Sequence, residues 1–163
     1  MFYNTGEADQ TNNNENGKKF SYIGELSEEE LRKYESFAND KDIEHLKDFS
    51  PEKITLVYFH SAVIDDIEAT YALTYDGGLL PDDFSTFKSK YYENVMKFNS
   101  EKALEFRYYD SIDIYKGDSE NSDELRVDMR VSYGYFTASL IQGKKGRRNL
   151  ENGYPSFIKI PVG

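Results

Sequence analysis

The sequence predicts an α+β domain, with three to four helices packed on one face of a curved antiparallel sheet. Two observations carry this. Apolar residues recur with the helical 3.6 period from about residue 27 onward, and after residue 100 the period changes to 2. Helical runs followed by a run of strands are the signature of α+β rather than alternating α/β architecture. The 163 residues suit a single domain, and although 31% are charged, 14 Tyr and 11 Phe supply much of the bulk for a core.

Residues 1–19 (MFYNTGEADQTNNNENGKK) are polar and almost free of aliphatic side chains. They cannot bury enough apolar area to offset the entropy of ordering, so this stretch is read as a disordered linker, with the folded domain spanning 20–163. A solvated run of this length suits a tether to a membrane anchor or an upstream domain. The first helix is predicted over 27–39. Ser27 and Glu30 form a capping box, Leu26 and Leu31 are placed for a hydrophobic staple, and Leu31, Tyr34, Phe37 and Ala38 keep the period. Ser50-Pro51-Glu52 is a second start, with an N-cap, a proline at the first position and an acid in the first turn. Ile54 to Ile64 is apolar on more than one face and is expected to be the buried spine of the domain. Asp65-Asp66 interrupts it, with Asp66 placed to cap a short helix through Ile67, Tyr71 and Leu73. Leu80-Pro81-Asp82-Asp83 opens another, with Phe84, Phe87, Tyr91 and Val95 on one stripe.

The strand region is expected to begin with Leu104, Phe106 and Tyr108 and to continue through Ile112 and Ile114 after a bulge near Tyr109-Asp110. Residues 117–123 are a polar hairpin turn. Leu125, Val127, Met129, Val131, Tyr133 and Tyr135 alternate with Arg126, Asp128 and Arg130 as one long strand bent at Gly134. A basic loop, Gly143-Lys144-Lys145-Gly146-Arg147-Arg148, leads to a last strand around Ser156–Ile160. The predicted core is Leu31, Phe37, Ile54, Val57, Tyr58, Ala62, Tyr71, Phe87, Tyr91, Phe106, Val127, Met129 and Val131.

Several chemistries are disfavoured at once. A net charge of −10 argues against nucleic acid as a partner, and the absence of cysteine removes disulfides, thiolate metal sites and Cys nucleophiles. No apolar run is long enough to span a bilayer, and no phosphate-cradling loop, HExxH, GxSxG or dinucleotide fingerprint occurs. Asp118, Glu120 and Ser122 echo a calcium loop, but Asp123 stands where glycine is needed and Met129 where the bidentate acid is needed. No metal and no cofactor is therefore expected. His60 sits five residues before Asp65, so one helix does not present both on one face, and a half-buried His60 bonded to a neighbour is expected instead. Tyr58, Tyr71, Tyr108, Tyr133 and Tyr135 fall on core-facing or alternating positions, and tyrosine suits a half-wet cavity or an interface. Lys144, Lys145, Arg147 and Arg148 form a local +4 patch, either a soluble turn or a contact for an anionic envelope surface.

The stretch from Ser50-Pro51-Glu52 through Tyr58-Phe59-His60-Ser61-Ala62, then Asp65-Asp66-Ile67-Glu68-Ala69-Thr70-Tyr71-Ala72-Leu73, is similar to the opening of nuclear transport factor 2-like domains. The resemblance covers roughly residues 48–163 and is closest to small tethered domains of Gram-positive extracytoplasmic lipoproteins and envelope proteins. It implies a cone built on a strongly bent antiparallel sheet, with a pocket for which Tyr58, His60, Tyr71 and Tyr133 are the candidate ligand-binding residues. Such domains usually finish on a long strand with a Gly-Lys-Trp-Lys-like end, whereas this chain closes on Pro161-Val162-Gly163 and has no Trp. The implied role is a non-catalytic binding or scaffold domain, extracytoplasmic and anchored through a segment outside this chain, with a protein partner or small ligand. A homodimer through the open sheet face also fits. The alternatives are a component of a type IV secretion or conjugation assembly, a pocket enzyme of the isomerase or hydratase type, and a cytoplasmic location.

Overall fold

A computed structural model describes residues 20–76, 78, 80–116, 124–131, 134–142 and 157–160, with side chains described through Val131. In chain order the elements are α1 (Glu28–Asp40), a 3-10 turn (Ile43–Leu46), α2 (Pro51–Val63), α3 (Ile67–Leu73), α4 (Phe84–Asn94), α5 (Met96–Glu105), β1 (Ser111–Lys116), β2 (Glu124–Val131), β3 (Gly134–Gln142) and β4 (Phe157–Ile160). The chain is α+β.

The helix starts lie where local chemistry puts them. Ser27 Oγ accepts the Glu30 N–H at 3.2 Å while the Glu30 carboxylate accepts the Ser27 N–H at 2.9 Å, so two otherwise orphaned donors are satisfied reciprocally. The same Glu30 carboxylate pairs with Lys53 and so ties the first turn of α1 to α2. Ser50 caps α2 with Pro51 in its first turn, and Asp66 caps α3 by accepting the Ala69 N–H at 3.0 Å. Helix α2 is the spine: Ile54, Thr55, Leu56, Val57, Tyr58, Phe59, Ser61 and Ala62 are all buried. Its buried hydroxyls return to their own helix, Thr55 donating to the Pro51 carbonyl and Ser61 to the Val57 carbonyl, both at 2.9 Å.

The sheet order is β1-β2-β3-β4. Strands β1 and β2 pair antiparallel with Ile112 opposite Met129 and Ile114 opposite Val127. On β2 the odd residues Leu125, Val127, Met129 and Val131 face the helices, while Arg126, Asp128 and Arg130 face away. One cluster under the sheet joins Tyr34, Phe37, Leu46, Phe49, Ile54, Val57, Leu73 and Val127. A second joins Leu56, Phe59, Ala62, Ala103, Phe106, Met129 and Val131, and a third gathers Ile67, Phe87 and Tyr91 at α3 and α4. The segment Phe20–Leu26 also belongs to the domain. Tyr22 is 2% exposed, stacks on Phe59 with ring centroids 5.4 Å apart, and bonds through its hydroxyl to the Ala103 carbonyl in the last turn of α5.

Four expectations are corrected. Five α-helices are present among the described residues, against the three to four expected. The extra one is α5, because Leu104 and Phe106 belong to a helix and its C-cap rather than to a first strand. Apolar residues at 104, 106 and 108 mimic a period of 2, yet Leu104 is 56% exposed and Tyr108 67%, so only Phe106 of the three is core. The long strand through Tyr135 is instead two strands, since Val131 pairs with Gly134 and the chain reverses between them. The sheet is not wholly antiparallel, for β4 runs parallel to β3, with Ser139 opposite Phe157 and Gln142 opposite Ile160. A parallel neighbour requires a crossover longer than any hairpin, and the separation of the two strands in sequence permits it. Finally, Leu31 is 36% exposed and not core, and Tyr71 is only half-buried. The linker 1–19 and the polar turn 117–123 lie outside the described residues.

Candidate functional site

The candidate ligand-binding tyrosines and His60 do not converge on one point. Tyr58 and His60 are two positions apart on α2 and so project toward different neighbours. Tyr58 is buried, and its hydroxyl accepts from Asn99 Nδ2 of α5 at 2.9 Å. The same amide nitrogen lies 3.5 Å from the Tyr91 hydroxyl of α4, so Tyr58, Asn99 and Tyr91 form a polar knot where α2, α4 and α5 meet. Burial pushes the Tyr58 phenol well above its ordinary range, and Tyr91 is raised for the same reason. Both phenols therefore stay protonated near neutrality and act as hydrogen-bonding groups rather than as bases.

His60 turns the other way and meets the Tyr34 ring edge-on, with centroids 5.6 Å apart. Burial holds its imidazole below the usual value, while the nearby Asp66 charge works against that shift. In place of the hydrogen-bonded neighbour expected for His60, the described contact is the Tyr34 ring. Asp66 is committed elsewhere. One carboxylate oxygen caps α3, and the other accepts from Lys41 Nζ at 2.6 Å, with both side chains about one-fifth exposed. Lys41 itself ends α1 in the left-handed region (φ 62°), and its ammonium also donates to the Ala38 carbonyl at 2.6 Å. Asp65 adopts φ 57°, a conformation that short polar side chains tolerate best, and accepts from the Tyr92 hydroxyl at 3.1 Å. The junction of α1, α2 and α3 is therefore a closed set of capping and ion-pair contacts.

Tyr71 lies in the third cluster, its ring against Phe84 and Phe87 at 5.6 and 4.7 Å and its hydroxyl donating to the Pro81 carbonyl at 3.1 Å. Phe87 in turn packs on Tyr91 at 5.8 Å, so an aromatic chain runs from Tyr71 to the polar knot at Tyr58. Tyr133 and the basic residues Lys144, Lys145, Arg147 and Arg148 lie outside the described residues.

The face of β1 and β2 turned away from the helices holds a second polar set. Asp128 is only 6% exposed there, and Arg126 clasps it with two bonds at 2.8 and 2.9 Å. The Arg126 guanidinium sits 5.9 Å from the Tyr115 ring centroid, a cation–π distance. Arg130 approaches Asp113 at 3.7 Å, and Asp113 stands directly across from Asp128 in the register. Without the two arginines those carboxylates would repel across the strand pair. The alternation on β2 was legible in the sequence. The deep burial of Asp128, which Arg126 of the same strand clasps, was not. Asn99 was missed with α5, although the three-residue spacings Met96–Asn99–Lys102 and Ala103–Phe106 were available as a helical signal. No group of three or more His, Asp or Glu is arranged to hold a metal among the described residues. Comparison with known protein families, curated proteins and solved structures gives no match.

Proposed function

We propose that the chain is a non-catalytic binding or scaffold domain, nuclear transport factor 2-like in build, belonging to an anchored extracytoplasmic protein of the bacterial envelope. One observation carries the reading: every acid–base candidate near α2 already has a structural use. Asp66 caps α3 and holds Lys41, Asp65 holds Tyr92, His60 packs on Tyr34, and the Tyr58 hydroxyl is bonded to Asn99. A pocket enzyme needs an acid or base converging with a second polar group on a site open to substrate. The open β1–β2 face, with Tyr115 under Arg126, suits a protein partner, a second copy included, because tyrosine and arginine are enriched at interfaces.

The basic residues Lys144, Lys145, Arg147 and Arg148 supply the envelope contact in this reading. Each contributes about 1 kcal/mol near an anionic lipid surface, so four give roughly 4 kcal/mol at most. That corresponds to millimolar-class attachment, useful only when a tether raises the effective concentration. Long-range repulsion of a −10 domain is screened within about 8–10 Å at physiological ionic strength, so the patch can dominate at contact. The test is co-sedimentation with phosphatidylglycerol vesicles at low salt. Binding by the unaltered chain and its loss on changing all four residues to Ser, with the circular dichroism unchanged, supports the reading. No binding by the unaltered chain removes the surface contact from it.

A further inference from the structure

The geometry points to Phe20–Leu26 as a detachable strap, and we propose that the groove beneath it takes the same strap from a second copy of the chain. The strap is neither strand nor helix. Among the described residues its two backbone hydrogen bonds, Gly24 N–H to the Ser21 carbonyl at 3.0 Å and Leu26 N–H to the Ile23 carbonyl at 3.2 Å, both close within it. No ladder or helical bond among the described residues therefore has to break when it leaves. What holds it is side-chain seating. Tyr22 stacks on Phe59 and bonds to the Ala103 carbonyl, one of the acceptors that the end of α5 leaves without a helical partner. Phe20 packs edge-on against Tyr22 and Tyr108, at 4.9 and 5.2 Å. Tyr109 donates to the Glu25 carboxylate at 3.1 Å.

The floor beneath is apolar, made of Phe59, Ala62, Phe106, Met129 and Val131 from α2, the end of α5 and β2. An open groove of that composition is costly in water and refills. The segment that fits it best is the one already shaped to it, an aromatic at the first position, a tyrosine two residues on and a carboxylate three further, present in every other copy. Exchange of an identical element between copies needs no new complementarity, only a hinge and a local opening cheaper than global unfolding. The hinge is the link Leu26-Ser27 ahead of the capped start of α1. This inference stands whether or not the domain works at an envelope.

The chain has no cysteine, so introduced thiols are unambiguous. Phe20→Cys in one preparation and Tyr108→Cys in another, both at partly or well exposed positions, are mixed and treated with a short bismaleimide. Strap exchange predicts a cross-linked heterodimer whose yield rises with protein concentration and exceeds by at least about tenfold that of a control pairing Glu44→Cys with Tyr108→Cys. Native-state hydrogen exchange of the unaltered chain is expected to show the Gly24 and Leu26 amides at least about tenfold less protected than those of α2. Strap amides as protected as the spine, or a yield no higher than the control, overturns the proposal.

Discussion

The polar knot at Tyr58, Asn99 and Tyr91 makes a quantitative test of how the helical layer is held. Changing Asn99 to Ala removes the amide that donates to the Tyr58 hydroxyl at 2.9 Å. Because Tyr58 of α2 is buried, the hydroxyl left behind has no ready access to water. A buried polar group losing its partner costs about 1–3 kcal/mol, whereas removing both partners can be nearly neutral. Tyr58→Phe alone is expected to cost about 0.5–1.5 kcal/mol, since Asn99 is only partly buried and its amide can turn to solvent. The double variant Tyr58→Phe with Asn99→Ala should therefore cost less than the sum of the singles, with a coupling of roughly 0.5–1.5 kcal/mol. Urea unfolding monitored by circular dichroism reads this directly, through midpoints at constant m-value. For a chain of this size each kcal/mol corresponds to about 2–4 °C in Tm. Additivity of the two substitutions within about 0.3 kcal/mol would refute the coupling and with it the knot as an energetic unit.

Phe37→Ala, at a position with no exposure, should cost about 3–5 kcal/mol, while Leu31→Ala nearer the start of the same helix should cost about 1 kcal/mol or less; equal costs in urea titrations would contradict the assignment of α1's buried face. Ser27→Ala removes the hydroxyl arm of the capping box, leaving the backbone N–H of residue 27 on the Glu30 carboxylate, and is expected to lower stability by about 1 kcal/mol, with hydrogen exchange accelerating first in the opening turn of α1. His60 has a pKa depressed by burial, so the unfolded chain binds its proton more readily than the folded one. Its contribution is thus neutral well above about 6.5 and destabilising below, and stability should fall on acidification from about pH 7 to 5. His60→Phe should flatten that segment of the stability–pH curve. A slope unchanged by the substitution would show that the imidazole is as well solvated folded as unfolded.

How much of this was legible depended on whether the signal was local. Caps are local, so Ser27, Ser50 and Asp66 were found from three or four residues of sequence each. The spine helix declared itself by being apolar on several faces. Helix α5 did not, because its buried face is thin: Ala103 and Phe106 are core while Phe98 and Leu104 are exposed, and the alternate apolar residues that follow imitated a strand. The reversal between Val131 and Gly134 was hidden by the continuous alternation of β2 into β3. Apolar residues stay on odd positions through Tyr133 and Tyr135, whereas the pairing of Val131 with Gly134 and of Met129 with Phe136 puts even positions of β3 opposite odd positions of β2. The parallel seat of β4 has no local cause at all. At the site, residue types were legible but partners were not, since Asn99 reaches Tyr58 across 41 positions and Lys41 reaches Asp66 across 25.

The parallel pairing of β3 with β4 also sets the order in which the domain can be completed during synthesis. Strands β1, β2 and β3 pair between sequence neighbours, and those hairpins can close as soon as they emerge. β4 is made after β3, and it pairs with β3 in the same direction. Until then the β3 edge has no partner on that side, and an open edge invites pairing with another nascent chain. Translation speed between the codons for β3 and those for β4 thus becomes a determinant of yield: a pause before the codons for Phe157–Ile160 lengthens the time that edge is open, and fast passage shortens it.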